Sequence, residues 1–128
     1  MMDTIGFLEL NSIAKGVEAA DIVVKTADVR LAFAKAGCPG KYYILLTGEV
    51  AAVEASLAAG AAVGGCHVVD SCLIPRVHPQ VIRAINLAGS PEGAGAIGVM
   101  EFFSVTASVY AADDGLLPAL VVQIGGEA

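Results

Sequence analysis

The first part of the chain carries a strand-like and then a helix-like pattern of apolar positions. Residues 4–10 are mostly apolar and enclose one charge, Glu9, which predicts a strand with a carboxylate inside it. Ser12 follows, and a serine hydroxyl is a favoured N-cap. Apolar residues then recur at helical spacing, at Ile13, Val17, Ala20 and Val24. The pattern predicts a helix over residues 12–27.

Two shorter patterns then predict a hairpin. Residues 29–35 alternate well enough for a strand, with large apolar side chains at Val29, Leu31 and Phe33, and residues 41–47 are rich in aromatic and branched ones. Between them stands Gly-Cys-Pro-Gly at residues 37–40, a combination typical of a tight turn. The hairpin is therefore expected to present one thiol, that of Cys38, at its tip.

A second helix and a fourth strand complete the first set of elements. Residues 50–63 predict a helix that ends at two glycines, and its expected core face consists of Val50, Val53, Leu57 and Ala61. Residues 67–74 predict a strand that Pro75 terminates, and residues 78–87 predict a short helix. The order strand, helix, strand, strand, helix, strand predicts an α+β fold. It is the ferredoxin-like split βαβ arrangement, an antiparallel four-stranded sheet with helices on one face.

The opening pattern then starts again. The sequence Ile-Gly-Phe-Leu-Glu at residues 5–9 recurs as Ile-Gly-Val-Met-Glu at residues 97–101, and Ser12 and Asp21 recur as Ser104 and Asp113, always 92 residues apart. A constant offset indicates a duplicated module. We therefore expect a complete domain over residues 1–88, a linker over 89–95, and the truncated start of a second domain over 96–128.

Composition and charge restrict the classes of function. Hydrophobic residues make up 56% of the 128 residues and charged residues only 16%, which predicts surfaces buried against other subunits. The formal net charge is −6 without any basic run, so no nucleic-acid partner is expected. The uncharged stretch 55–69 contains several glycines and a histidine, so no membrane partner is expected either. Three cysteines and no signal-peptide pattern favour a reducing, cytoplasmic setting.

Several segments together resemble a known family. They are the opening motif at residues 5–9, Gly-Val-Glu-Ala-Ala-Asp at 16–21, the run from Tyr42 into Gly-Glu-Val-Ala-Ala-Val at 48–53, and Ile-Pro-Arg-Val-His-Pro at 74–79. This stretch resembles the bacterial microcompartment (BMC) shell domain. The resemblance implies a structural protein, not an enzyme, that self-assembles into a cyclic oligomer with a central pore and tiles into a shell. It also implies other shell proteins and encapsulated enzymes as partners.

The chain resembles the tandem-domain shell proteins of propanediol-utilisation compartments in two features. They are the second copy and the sequence Cys-Pro-Gly-Lys at residues 38–41. In that branch two domains per chain form a pseudohexameric trimer, and the resemblance implies that Cys38 ligates a 4Fe–4S cluster shared between subunits. Three thiols on an axis would suit such a cluster, whereas six would fit it poorly. Because the second domain is cut short, a trimer and a true hexamer both remain open.

The resemblance also implies roles for individual residues. Gly37, Cys38, Pro39 and Gly40 would line the central pore, and Cys38 is the only expected metal ligand. Lys25, Arg76 and His78 would lie at the edges where assemblies meet, and the location would be the shell of a cytoplasmic microcompartment. Without the resemblance, Lys25 and Arg76 would be interpreted as solvated charges.

The remaining cysteines and carboxylates do not form a recognisable metal or catalytic motif in the sequence. Cys66 and Cys72 lack a second ligand pair at zinc spacing and are interpreted as packing residues. Glu9 and Asp21 have no supporting nucleophile or base nearby in the sequence, so no catalytic residue is expected, and Glu9 is expected to hydrogen-bond between strands or subunits. Two other functions stay open: an iron–sulfur electron carrier that holds its cluster through Cys38, and a small ferredoxin-like signalling or ligand-binding trimer.

Overall fold

The computed structural model describes residues 4–86, 95 and 100–115. Four strands and two helices form a compact unit that ends at Arg76. Their bounds are β1 Ile5–Leu10, α1 Ile13–Thr26, β2 Val29–Gly37, β3 Lys41–Gly48, α2 Val50–Gly64 and β4 Val68–Ile74. The second unit begins at Val77 and contains α3 Pro79–Ile85 and α4 Val105–Gly115.

The four strands form one sheet in the order β2-β3-β1-β4, and every neighbouring pair is antiparallel. The two central strands, β1 and β3, are therefore paired on both sides. In this register Glu9 of β1 lies opposite Tyr43 of β3 and Asp70 of β4. This is the split βαβ arrangement, so the predicted fold class is confirmed.

The main core lies between the sheet and helices α1 and α2. Alternate residues of the central strands, Leu8, Leu10, Ile44 and Leu46, are completely buried there. Helix α1 contributes Ala19, Ala20 and Val23, and α2 contributes Val53 and Leu57. At Gly60 of α2 an added Cβ atom would lie 2.7 Å from Cγ2 of Val23. The two helices therefore approach closely because a glycine leaves room for a branched side chain.

Both helix predictions are right in position and partly wrong about the buried face. The stripe that predicts α1 includes Ile13, Val17 and Val24, and all three are exposed, whereas small residues of that helix are buried. In α2, Val50 is 42% exposed, and Ala61 is only partly buried. In α1 the inner face therefore consists of small residues together with Val23. In α2 the predicted core residues Val53 and Leu57 are buried.

The ends of the elements follow local chemistry. Ser12 caps α1, because its Oγ accepts a hydrogen bond from the Lys15 backbone N–H at 3.3 Å. Gly65, with φ +56°, ends α2 as predicted. The fourth strand begins at Val68, not at residue 67, because Gly65–His67 forms a short 3-10 turn. Within the described ranges, Val50–His67 is long and apolar enough to cross a membrane, a test that core helices also pass.

The second unit preserves the start of the repeat. Helix α4 begins at Val105, 92 residues after the start of α1, and Ser104 Oγ accepts from the Ala107 backbone N–H at 3.0 Å as Ser12 does in the first copy. Of the predicted repeat strand, residues 96–99 lie outside the described part, and Met100 and Glu101 are not in a strand. The predicted linker, apart from Gly95, and residues 116–128 also lie outside it, so the domain boundaries stay predictions.

Candidate functional site

The hairpin between β2 and β3 ends in the turn formed by residues 38–40. Gly37 pairs with Lys41 as the last rung of the ladder. Gly40 has φ +82°, which glycine adopts without the strain that a side chain would cause. Cys38, Pro39 and Gly40 are all exposed. The turn predicted from Gly-Cys-Pro-Gly is therefore confirmed as a turn, while its predicted role in lining a pore is not tested by a single chain.

The side chain of Tyr43 fixes the β2 end of this turn. Its ring lies so close to Gly37 that an added Cβ atom would overlap the ring carbon Cε2. Phe7 of the central strand stands 6.1 Å from the Tyr43 ring, centroid to centroid, and 6.4 Å from that of Phe33. This aromatic group lies on the sheet face opposite the helices.

A buried ion pair lies at the other end of the turn. Lys41, the residue after Gly40, donates from Nζ to Oε2 of Glu9 at 2.8 Å. The Lys41 side chain is 9% exposed and that of Glu9 is 0% exposed. Glu9 is therefore an inter-strand hydrogen-bond acceptor, as predicted. Its partner was missed by the sequence interpretation, which used residue 41 as the start of a strand and as part of the Cys-Pro-Gly-Lys motif.

The three thiols differ in accessibility. Cys38 and Cys66 are exposed, and Cys72 is half-buried on β4. The interpretation of Cys66 as a packing residue was wrong, because the 3-10 turn turns it outward. Within residues 4–86, 95 and 100–115, no three His, Cys, Asp or Glu side chains are grouped so that they could hold a metal ion. An iron–sulfur cluster at Cys38 would therefore require thiols from several chains.

Lys25, a predicted edge residue, is exposed on the outer surface of α1. Its Nζ lies 2.7 Å from Oδ2 of Asp21, one helical turn earlier, and its side chain is 68% exposed. Such exposed pairs contribute only about 0.3–0.5 kcal/mol. The ammonium group can therefore exchange this partner for another at little cost. Asp21 and Glu9 each face a lysine and not each other, so the structure does not bring them together as an acid–base pair.

The other two predicted edge residues precede α3 in the sequence. Arg76 ends the first unit and has φ +54°, in the left-handed region that few non-glycine residues adopt. In the second unit, His78 caps α3, since its Nδ1 accepts from the Gln80 backbone N–H at 3.2 Å. The His78 backbone N–H donates to Oδ1 of Asp113 on α4 at 2.7 Å. His78 thus has a local capping role, and its predicted edge role is untested.

Asp113 is the repeat equivalent of Asp21 and has a different partner. In the first copy the carboxylate pairs with Lys25, but the residue 92 positions after that lysine is a leucine. In the second copy the carboxylate accepts from the backbone before α3 instead. The two copies have therefore diverged at the position where the first carries its edge lysine.

Comparison with known proteins gives one family. The model of the BMC domain matches residues 4–77. The chain is 43% identical over 113 residues to the bacterial microcompartment shell protein PduT of Citrobacter freundii, covering 88% of this chain and 61% of PduT. It therefore spans about three fifths of the length of that relative.

Two shorter relatives are covered more fully. The chain is 37% identical over 88 residues to the shell protein PduA of Citrobacter freundii. The aligned residues cover 65% of this chain and 91% of PduA. It is 35% identical over 80 residues to the major carboxysome shell protein CsoS1A of Halothiobacillus neapolitanus, covering 60% of this chain and 82% of CsoS1A. Among solved structures, a microcompartment protein from Desulfitobacterium hafniense superposes with a TM-score of 0.70 and 39% identity, covering 93% of this chain and 66% of that one.

Proposed function

Because this chain belongs to the BMC domain family, we propose that it is a structural shell protein of a bacterial microcompartment. The relatives PduT, PduA and CsoS1A are shell proteins by name, which supports a structural role rather than catalysis. In this proposal the chain forms a barrier around encapsulated enzymes in the cytoplasm, together with other shell proteins, and controls the passage of metabolites.

The observation that carries the proposal is the apolar surface left on the first unit. Ile13, Val17 and Val24 are each more than 40% exposed and follow one another along the outside of α1. A row of branched side chains at a helix surface is typical of a contact with another protein. Copies of this chain arranged in a ring would bury that row, and the same ring would bring the turns at residues 37–40 around a common opening.

The mass of the purified particle tests the ring. A hexamer is expected if the first domain closes the ring by itself, and a trimer if residues 96–128 of each chain also contribute. Native mass spectrometry at several concentrations distinguishes the two. A compact monomer at the highest concentration would contradict the proposal in both forms.

Edge-to-edge tiling is the second part of the proposed function, with contributions from Lys25, Arg76 and His78. Weak contacts that repeat along each edge give a stable sheet through their number. We expect Lys25→Ala to abolish extended sheets or tubes seen by electron microscopy while the ring mass stays unchanged. Lys15→Ala is the matched control, because Lys15 is on the same helix in a similar exposed pair, 3.0 Å from Glu18. Equal loss of sheets in both variants would refute a specific role for Lys25.

A second candidate function rests on the exposure of Cys38. We propose as the alternative that three turns on one axis hold a shared 4Fe–4S cluster and that the assembly carries electrons. A thiolate is the usual ligand of such clusters, and the donor set fits only if several chains supply one thiol each. When bound, the cluster would supply one-electron transfer across the shell.

The alternative predicts an absorption that depends on one residue. After anaerobic reconstitution with iron and sulfide, we expect a brown, broadly absorbing protein that retains iron through gel filtration. Cys38→Ser should lose the colour and the iron, whereas Cys66→Ser, which changes the other exposed thiol, should keep both. Iron retained by Cys38→Ser, or colour absent from the parent protein, would remove this function.

A further inference from the structure

We propose that the buried Glu9–Lys41 ion pair is a positioning device for the turn that carries Cys38. The inference rests on the proposed function, because the position of the turn matters for passage only if the turn surrounds an opening. Lys41 does not itself line the turn in this proposal. It acts through the backbone, by fixing where the turn begins and ends.

The turn has little packing of its own. Cys38, Pro39 and Gly40 are exposed, and an added Cβ atom at Gly40 would meet nothing within 4 Å. A segment with few buried contacts is held only by the elements at its ends. Those ends are Gly37, beneath the Tyr43 ring, and Lys41, paired with Glu9.

The acceptor of this pair lies on one of the two central strands. Glu9 is on β1, which is hydrogen-bonded to β3 on one side and to β4 on the other. Lys41 reaches it diagonally from the neighbouring strand, because Glu9 lies directly opposite Tyr43, two residues further along. The ammonium group thus ties the first residue after the turn to the centre of the sheet.

The ion pair restrains the turn more narrowly than an apolar contact would. A buried charge must find its partner at hydrogen-bond distance, so the 2.8 Å contact restrains how far the Lys41 side chain can move from Glu9. Apolar side chains of similar volume often support equal stability but accept several arrangements. Burying two charges costs free energy, and in this proposal the pair is useful because it holds the turn in a defined position.

The test measures the motion of the turn directly. A nitroxide is attached to Cys38 in a Cys66→Ser/Cys72→Ala background, and its rotation is followed by electron paramagnetic resonance. In the apolar pair Glu9→Leu/Lys41→Met we expect severalfold faster rotation at an unchanged circular dichroism spectrum. Lys41→Arg, made in the parent with Glu9 intact, keeps the charge and should retain the slow rotation of the label.

The matched control applies the same change to an exposed pair. Lys15→Met/Glu18→Leu removes a 3.0 Å pair on α1 and should leave the label on Cys38 unaffected. Unchanged rotation in the folded apolar pair would overturn the proposal, as would equal acceleration in the control. If the apolar pair does not fold, Glu9→Gln replaces it, with faster rotation supporting the proposal and unchanged rotation overturning it.

The label is compared between variants in the same assembly state, because labels around a common opening would also meet one another. Label rotation reports the local tether in a ring or in a monomer, whereas the particle mass reports the ring. A tethered turn in a monomeric protein would contradict the proposed function and leave the positioning role intact. A ring in which the label rotates equally slowly in every variant would support the proposed function and contradict the positioning role.

Discussion

Lys41→Met is expected to lower the free energy of unfolding by about 3–5 kcal/mol, the usual cost of leaving one partner of a buried ion pair. The Glu9 carboxylate is 0% exposed and would lose the ammonium that lies 2.8 Å from it. Methionine fills much of the volume of the lysine stem, so the loss of charge and not a cavity dominates the effect. Urea unfolding at one fixed protein concentration measures it, since assembly makes stability depend on concentration.

The double variant Glu9→Leu/Lys41→Met separates the charge from the packing. With both charges removed, we expect most of the lost stability to return, so that the two substitutions are strongly non-additive. Lys15→Met breaks an exposed pair and should change stability by no more than about 0.5 kcal/mol. If Lys41→Met were as mild as Lys15→Met, the pair would not be buried in solution as described.

The order of elements was predictable because each boundary has a local chemical signal. The Ser12 cap, the two glycines at the end of α2 and the Gly-Cys-Pro-Gly turn all lie where the structure changes direction. The alternation in β2 and the helical spacing in α1 gave the element types. With four strands and two helices in that order, the split βαβ sheet follows from short connections and pairing of neighbouring strands.

The inner face of the helices was not predictable in the same way. Periodicity identifies an apolar stripe, but α1 has two, one of exposed branched residues and one of small residues together with Val23. The small stripe is buried because the Tyr42 ring lies against Gly16 and Val23 lies against Gly60. Such pairings between distant segments become visible only in three dimensions.

The same reason explains why half of the candidate site was missed. The turn carrying Cys38 has a compact sequence signal, but Lys41 and Glu9 are 32 residues apart. Their contact depends on the register between β1 and β3, which single-sequence patterns do not fix. A lone lysine at a strand end and a lone glutamate inside another strand were the only available signals.

The second large expected effect is a loss of stability when Leu8, in the first copy of the repeat, is replaced. Leu8→Ala is expected to destabilise the protein by about 2–5 kcal/mol, because it empties a fully buried site on the central strand. Leu8 packs in the core between sheet and helices, and its Cδ2 would lie 3.2 Å from a Cβ atom added at Gly60. The surrounding helices are already in close contact, so little collapse can fill the cavity.

Met100 occupies the equivalent position of the second copy, 92 residues later, and is 61% exposed. Met100→Ala should therefore change the free energy of unfolding by less than about 0.5 kcal/mol, the range typical of surface substitutions. The pair of variants compares one repeat position where it is buried and where it is exposed, again by urea unfolding at fixed concentration. A large effect at Met100 would mean that the second copy is covered in the assembled particle, and its concentration dependence would then identify the cover as another subunit.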